Sequence, residues 1–236
     1  MFPGAKRLAI NATTGELVWS ILSFSGKSYA AHADGMMVQC NCYDKLIYTF
    51  GKGQTATAVS IQNDIIIHGN SVLVKGMVTD ESPGTKDSDR TARFPNGVPA
   101  VSDASMSPWM EYVYMQQPKP TNATGVPVTL SVLDANGNYR EIGTTTSDAN
   151  GYYSYEWTPD IEGKYTVYAA FGGSESYWPS TTETSFSVHQ AAATPSPATP
   201  APQSAVDMYF VPAVAGIIVA IAIGFAITIL LLRKRP

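Results

Sequence analysis

The chain has 236 residues, a formal net charge of −4, three His and only two Cys. That length allows one or two domains, and a slightly acidic chain without a basic stripe excludes the electrostatic footprint of a nucleic-acid-binding protein. Charged residues make up 14%, against about 25% in ordinary soluble domains, and the deficit is local, because residues 208–232 contain no charge.

Elsewhere the chain is rich in Thr, Ser, Tyr and Val, with 19 Gly and 16 Pro. This mixture favours short strands separated by turns, so the fold class expected is all-β. The run from Ala9 to Trp19 reads AINATTGELVW, with Thr14-Gly15 suited to a tight turn between two strands. A weaker copy runs from Asp34 to Tyr48, with Asn41 in the place of Asn11 and neither the Thr-Gly nor the Trp. These residues resemble the pyrroloquinoline-quinone-type β-propeller repeat, with Asn11 where that family has Asp. The resemblance implies that residues 1–52 are a partial propeller blade and that Trp19 packs between neighbouring blades. One repeat cannot bury its own faces, and Met1-Phe2-Pro3-Gly4 has neither the basic nor the apolar part of a signal peptide. The chain is therefore expected to be the C-terminal part of a longer secreted precursor. Such repeats form the scaffold of quinone-dependent dehydrogenases, but nothing in these residues offers a calcium-and-quinone site, and no cofactor is expected.

Residues 53–188 read as one immunoglobulin-like β-sandwich with a long insertion at 81–121. Val72, Val74 and Val78 alternate along one run, and Val126, Val128, Leu130 and Val132 along another. Asp134-Ala135-Asn136-Gly137 and Asp148-Ala149-Asn150-Gly151 repeat one turn signal. Tyr153, Tyr155 and Trp157 follow, then Tyr165, Val167, Ala169 and Phe171, and finally Phe186 and Val188. Short alternating runs punctuated by turns are the mark of a sandwich. The segment Asp160 to Val167 predicts a tyrosine corner, with the Tyr165 hydroxyl bonded to backbone just upstream. From Gly125 to Val188 the sequence resembles extracellular bacterial and archaeal Ig-like domains, which implies a spacer or adhesive module.

The insertion contains Pro83, Pro95, Pro99, Pro108, Pro118 and Pro120, which break regular structure. Its run from Trp109 to Met115 alternates aromatic and apolar groups, so a further strand or a small lid packed on the sandwich is expected. This segment is also the first place to seek a binding face. Asp80, Glu81, Asp87, Asp89 and Asp103 have the oxygen chemistry for calcium, but they match no calcium-loop spacing and read as a solvated acidic loop. Cys40 and Cys42 read as buried, reduced thiols on one strand face, since a C-x-C disulfide is strained. His32, His68 and His189 are scattered, with no nucleophile beside them, so no metal site and no catalytic site is expected. Asn11 and Asn122 each head an Asn-x-Thr glycosylation signal.

Residues 189–206 read as a Pro/Ala/Thr stalk, 207–232 as a transmembrane helix and 233–236 as a cytoplasmic tail. Arg233, Lys234 and Arg235 flank the apolar run, which places the C-terminus inside and residues 1–206 outside. Gly216, Ala220 and Gly224 form a small-residue row able to seat a second helix, so a transmembrane homodimer is one expectation. Together the repeat, the Ig-like domain and the anchor resemble archaeal cell-surface proteins. The function expected is a membrane-anchored extracellular structural, adhesive or binding protein without a catalytic site. Its partners would be membrane lipid and a cell-envelope protein or carbohydrate. The alternative is the anchor module of a propeller-type enzyme, quinone-dependent dehydrogenase-like, with its active part upstream.

Overall fold

The computed structural model describes residues 4–26, 30–192 and 205–234. Most of the segment expected to form the stalk, 193–204, lies outside the described residues, as does Arg235. The chain divides into two compact units, one ending at Ala191 and the other comprising the rest.

The N-terminal part is built from hairpins. β1 (Lys6–Ile10) pairs antiparallel with β2 (Leu17–Leu22), and β3 (Ala31–Ala33), β4 (Met36–Asn41) and β5 (Leu46–Phe50) form a three-stranded antiparallel sheet. The β1–β2 and β4–β5 turns have the same construction. The Asn11 side-chain carbonyl accepts the amides of Thr13 and Thr14, and that of Asn41 accepts the Tyr43 amide. Gly15 and Lys45 both donate 2.8 Å bonds to the carbonyl of the turn's Asn, from left-handed conformations with φ of 74° and 62°. The second copy thus keeps the turn although Lys replaces Gly, at a cost of about 1–2 kcal/mol.

The two sheets meet through matching faces. Arg7 reaches Met37 and Ser25, Gln39 donates to Ser23 at 2.8 Å, and Trp19 stacks on Phe50 at 5.8 Å. Among the described residues these strands make one two-stranded and one three-stranded sheet, whereas a propeller blade is a single four-stranded sheet. Among the described residues there is no closed propeller. The opposite face of β1–β2 is open, leaving Leu8, Ile10 and Leu17 55–58% exposed.

The sandwich begins with β6 (Thr55–Ile61), β7 (Ile65–Ile67) and β8 (Val72–Asp80). An inserted layer follows, containing α1 (Ser88–Arg93), β9 (Val98–Pro99) and α2 (Met106–Met115). The chain then forms β10 (Pro127–Leu133), β11 (Tyr139–Thr146), β12 (Tyr152–Trp157), β13 (Gly163–Phe171) and β14 (Ser180–His189). One sheet has the order β11-β10-β13-β14-β7 and the other β12-β8-β6, with β9 added to β8. β7 pairs parallel with β14 while the other pairings are antiparallel. This split of consecutive strands between two sheets is the immunoglobulin-like arrangement.

Strand alternation explains the core. Val72, Val74, Val78 and Tyr153 of one sheet meet Val128, Leu130, Val132, Tyr165, Val167, Phe171, Phe186 and Val188 of the other, all buried. The Tyr165 hydroxyl lies 3.2 Å from the Ile161 amide nitrogen and 3.3 Å from the Ile161 carbonyl oxygen, as a tyrosine corner requires. Asp134 and Asp148 each accept amides from their own turns, which explains the recurrence of the same four letters.

In the second unit, α3 (Ala205–Arg233) includes an apolar stretch, Met208–Arg233, whose side chains are not buried in the fold. Its 26 residues rise about 39 Å, enough for a hydrocarbon layer of about 30 Å. The helix runs unbroken through Pro212. Arg233 ends it and the Lys234 amide bonds to the Leu231 carbonyl.

Candidate functional site

Strand direction places the candidate binding region at one end of the sandwich. β10 and β14 both pair antiparallel with β13 and so run the same way. The start of β10 therefore lies at the end where β14 begins, away from His189, where the chain leaves the sandwich. β8 ends there, because Asp80 pairs with Thr55, whose hydroxyl lies 2.8 Å from both the Trp178 carbonyl and the Ser180 hydroxyl at the start of β14, and Tyr152 of β12 pairs with Met77 near the same end. The inserted layer, the N-terminal hairpins and the β13–β14 loop are consequently gathered at the end remote from His189.

The inserted layer has its own core. Val98, Val101, Trp109 and Val113 are buried together, with Phe94, Met106, Met110, Tyr112 and Tyr114 packed around them. Residues 109–115 thus form part of a helix, not a strand: Trp109 and Val113, four apart, share its buried face. Three of the prolines sit where regular structure tolerates them. Pro83 opens a short 3₁₀ turn, Pro99 lies in β9, and Pro108 falls in the first turn of α2, whose amides have no helical partner. Arg93 donates to the carbonyls of Val113 and Tyr112 at 2.9 and 3.0 Å, with its guanidinium 4.8 Å over the Tyr112 ring. A cation is thereby held at the C-terminal end of α2, where the helix dipole favours it.

The acidic residues of this region are not brought together. Asp80 is buried, contrary to its reading as part of a solvated loop; it accepts the Ser82 amide at 2.8 Å and the Tyr177 hydroxyl at 3.3 Å. Burial pushes its carboxyl above the ordinary carboxylate range, against the opposing effect of those hydrogen bonds. Asp103 accepts the Ser174 hydroxyl and the amides of Glu175 and Ser176 at 2.9–3.1 Å. Burial raises its pKa, but bonds from Ser176, Ser174 and Glu175 outweigh that and leave it low. Asp80 and Asp103 thus hold the same β13–β14 loop from two sides. Glu81 pairs with Lys86, while Asp87 and Asp89 pair with Arg90. No group of three or more His, Cys, Asp or Glu able to hold a metal ion occurs among the described residues.

Cys40 and Cys42 are free and half-buried. His68 and His189, far apart in sequence, meet through a 2.8 Å backbone bond, and His32 is exposed on β3. Asn122 is exposed in the turn before β10, whereas Asn11 is exposed with its side-chain carbonyl engaged. Two features had no local signal in the sequence. Glu111 of α2 accepts the Leu22 amide at 2.7 Å, and the Tyr48 hydroxyl reaches the Tyr114 carbonyl at 3.4 Å. The inserted layer is therefore the mount for the N-terminal hairpins. Beside it, Lys52 lies 4.7 Å over the exposed Trp178 ring, and Asn96 donates to the hydroxyl of the exposed Tyr152.

No family model matches the sequence, and no curated protein matches it. Among solved structures, the chain is similar to the CARDB domain of the PF1109 protein from Pyrococcus furiosus, in complex with di-metal ions, at 13% identity. That match covers 59% of this chain and 91% of the other, with a TM-score of 0.30. It is also similar to fibronectin(III)-like modules of Clostridium thermocellum CbhA, at 12% identity over 78% of each chain with a TM-score of 0.34. The sandwich assignment rests on the strand order and pairings described above.

Proposed function

We propose that this chain is a single-pass membrane protein whose sandwich stands outside the cell as a structural, adhesive or binding module. The observation that carries the reading is α3: 26 residues of apolar helix, unburied in the fold, ending at Arg233 with Lys234 next in sequence. A helix of that composition is favoured in hydrocarbon, and the cations resist translocation, leaving the C-terminus in the cytoplasm. The ligand would engage the end of the sandwich remote from His189, where Trp178, Tyr152 and the inserted layer are grouped. A cell-envelope protein or carbohydrate of an archaeal surface is the partner this reading favours. Protease added to intact cells should remove the region before Ala205 and leave a small protected fragment. A tag after Pro236 should be reachable only after permeabilisation; labelling of that tag on intact cells would reject the orientation.

A second reading is favoured by the open face of β1–β2. Four large aliphatic side chains more than half exposed on one small sheet, Leu8, Ile10, Leu17 and Val18, mark a surface that is covered in use. On this reading the hairpins join a larger propeller-type array, and the chain serves as the membrane anchor of a quinone-dependent dehydrogenase-like enzyme.

A further inference from the structure

We infer that Asn122 carries an N-linked oligosaccharide and that Asn11, which heads the other Asn-x-Thr signal, stays bare. The inference rests on the outward orientation proposed above, and the contrast between the two sites is structural. Asn122-Ala123-Thr124 lies in the segment between α2 and β10, outside helix and strand. The Asn122 side chain is exposed and enters no hydrogen bond among the described residues. Its neighbours are anchored: Ala123 packs on the inserted core, the Thr124 amide donates to the Ser105 hydroxyl at 3.1 Å, and the Thr124 and Ser102 hydroxyls are 2.7 Å apart. Pro118 and Pro120 keep the approach to this turn out of helix. An acceptor asparagine is thus presented on a fixed base, at the end of the sandwich remote from His189.

Asn11 is also exposed, but its amide group is part of the fold. Its side-chain carbonyl accepts the Thr13 and Thr14 amides at 2.9 and 3.1 Å, and its backbone N–H donates to the Glu16 carbonyl at 2.9 Å. Thr13 is the hydroxyl residue of that signal. Presenting the Asn11 amide to a transferase means breaking the bonds from Thr13 and Thr14 that close the β1–β2 turn, whereas the Asn122 amide has none to break among the described residues.

The donor is an oligosaccharide linked to a polyprenyl phosphate or diphosphate, transferred by a membrane oligosaccharyltransferase. The Asn122 Nδ2 atom forms a bond to the anomeric carbon as the bond from that carbon to the phosphate oxygen breaks. The amide nitrogen loses one proton, the polyprenyl phosphate or diphosphate leaves with the electron pair of the broken C–O bond and takes up that proton equivalent, and no atom is oxidised or reduced.

The test uses the full-length protein from its own membranes. Intact cells are labelled with a membrane-impermeant amine reagent, the label is read on the lysines before Ala205 and not on Lys234, and the peptides containing Asn11 and Asn122 are then weighed before and after removal of N-glycans. The expected result is a labelled protein with a glycan mass on the Asn122 peptide alone. Asn122→Gln and Thr124→Ala should abolish that mass, while Asn11→Gln and the signal-preserving Thr124→Ser should retain it. A labelled protein with an unmodified Asn122 peptide overturns this inference and leaves the orientation standing. An unlabelled protein with an unmodified peptide overturns both, and a glycan on Asn11 overturns the selectivity.

Discussion

The Glu111 carboxylate of α2 accepts the backbone amide of Leu22 at 2.7 Å, tying the end of β2 to the layer inserted in the sandwich. With the Tyr48–Tyr114 contact, it fixes a small β unit, whose outer face is open, on a sandwich with a complete core of its own. The insertion therefore acts as an adaptor between two β structures.

Glu111→Ala should loosen that adaptor without harming the sandwich. A hydrogen bond to a charged group contributes about 1.5–3 kcal/mol. Hydrogen exchange should show the Leu22 amide losing roughly that much protection while amides of β10 and β13 keep theirs. Equal loss in both places would mean that the two structures unfold together.

Trp109→Ala should be the most damaging single change in the insertion. The side chain is 0% exposed, and removing a buried Trp costs about 3–5 kcal/mol. The indole nitrogen has no hydrogen-bond partner among the described residues, so Trp109→Phe should cost distinctly less. Urea unfolding of a chain ending at Ala192 would rank the two variants; a loss as large for Phe as for Ala would give the indole nitrogen a role that packing does not.

Asp80 should make stability depend on pH in the direction opposite to that of a typical salt-bridged carboxylate. Burial raises its pKa in the folded state, so the folded protein holds this proton more tightly than the unfolded chain, whose Asp titrates near about 3.9. Its contribution is fully present below that value and is lost as pH rises through the raised folded pKa. Asp80→Asn keeps an acceptor for the Ser82 amide and removes the charge. The variant should gain on the wild type across that window and hold its advantage at neutral pH. A stability difference that stays flat with pH would contradict the assignment.

Tyr165→Phe removes only the hydroxyl of the tyrosine corner. The ring keeps its stack on Phe186 at 5.4 Å, while the bonds to Ile161 and Asp160 are lost. The expected loss is about 1–1.5 kcal/mol, a fall in Tm of about 2–6 °C for a unit of this size. An unchanged Tm would show that the corner serves geometry alone.

Alternation along β10 and β13, the two Asp-Ala-Asn-Gly turns, the tyrosine corner and the apolar C-terminal run were all legible in the sequence. Each is a local property: side-chain period, turn torsions, a hydroxyl reaching four residues back, or the length of an uncharged stretch. The same local logic could not decide the form of residues 109–115, where alternating aromatic and apolar groups also satisfy a helical spacing. Burial of Trp109 and Val113 on one face selected the helix. Nor could it reveal that Asp80 is buried beneath Tyr177, that β7 joins β14 in parallel, or that Glu111 captures Leu22. Those pairings join residues distant along the chain, and no spacing rule encodes them. They arise when the sandwich closes and its loops must satisfy their remaining polar groups, so only the tertiary structure placed the inserted layer and the N-terminal hairpins at the end remote from His189.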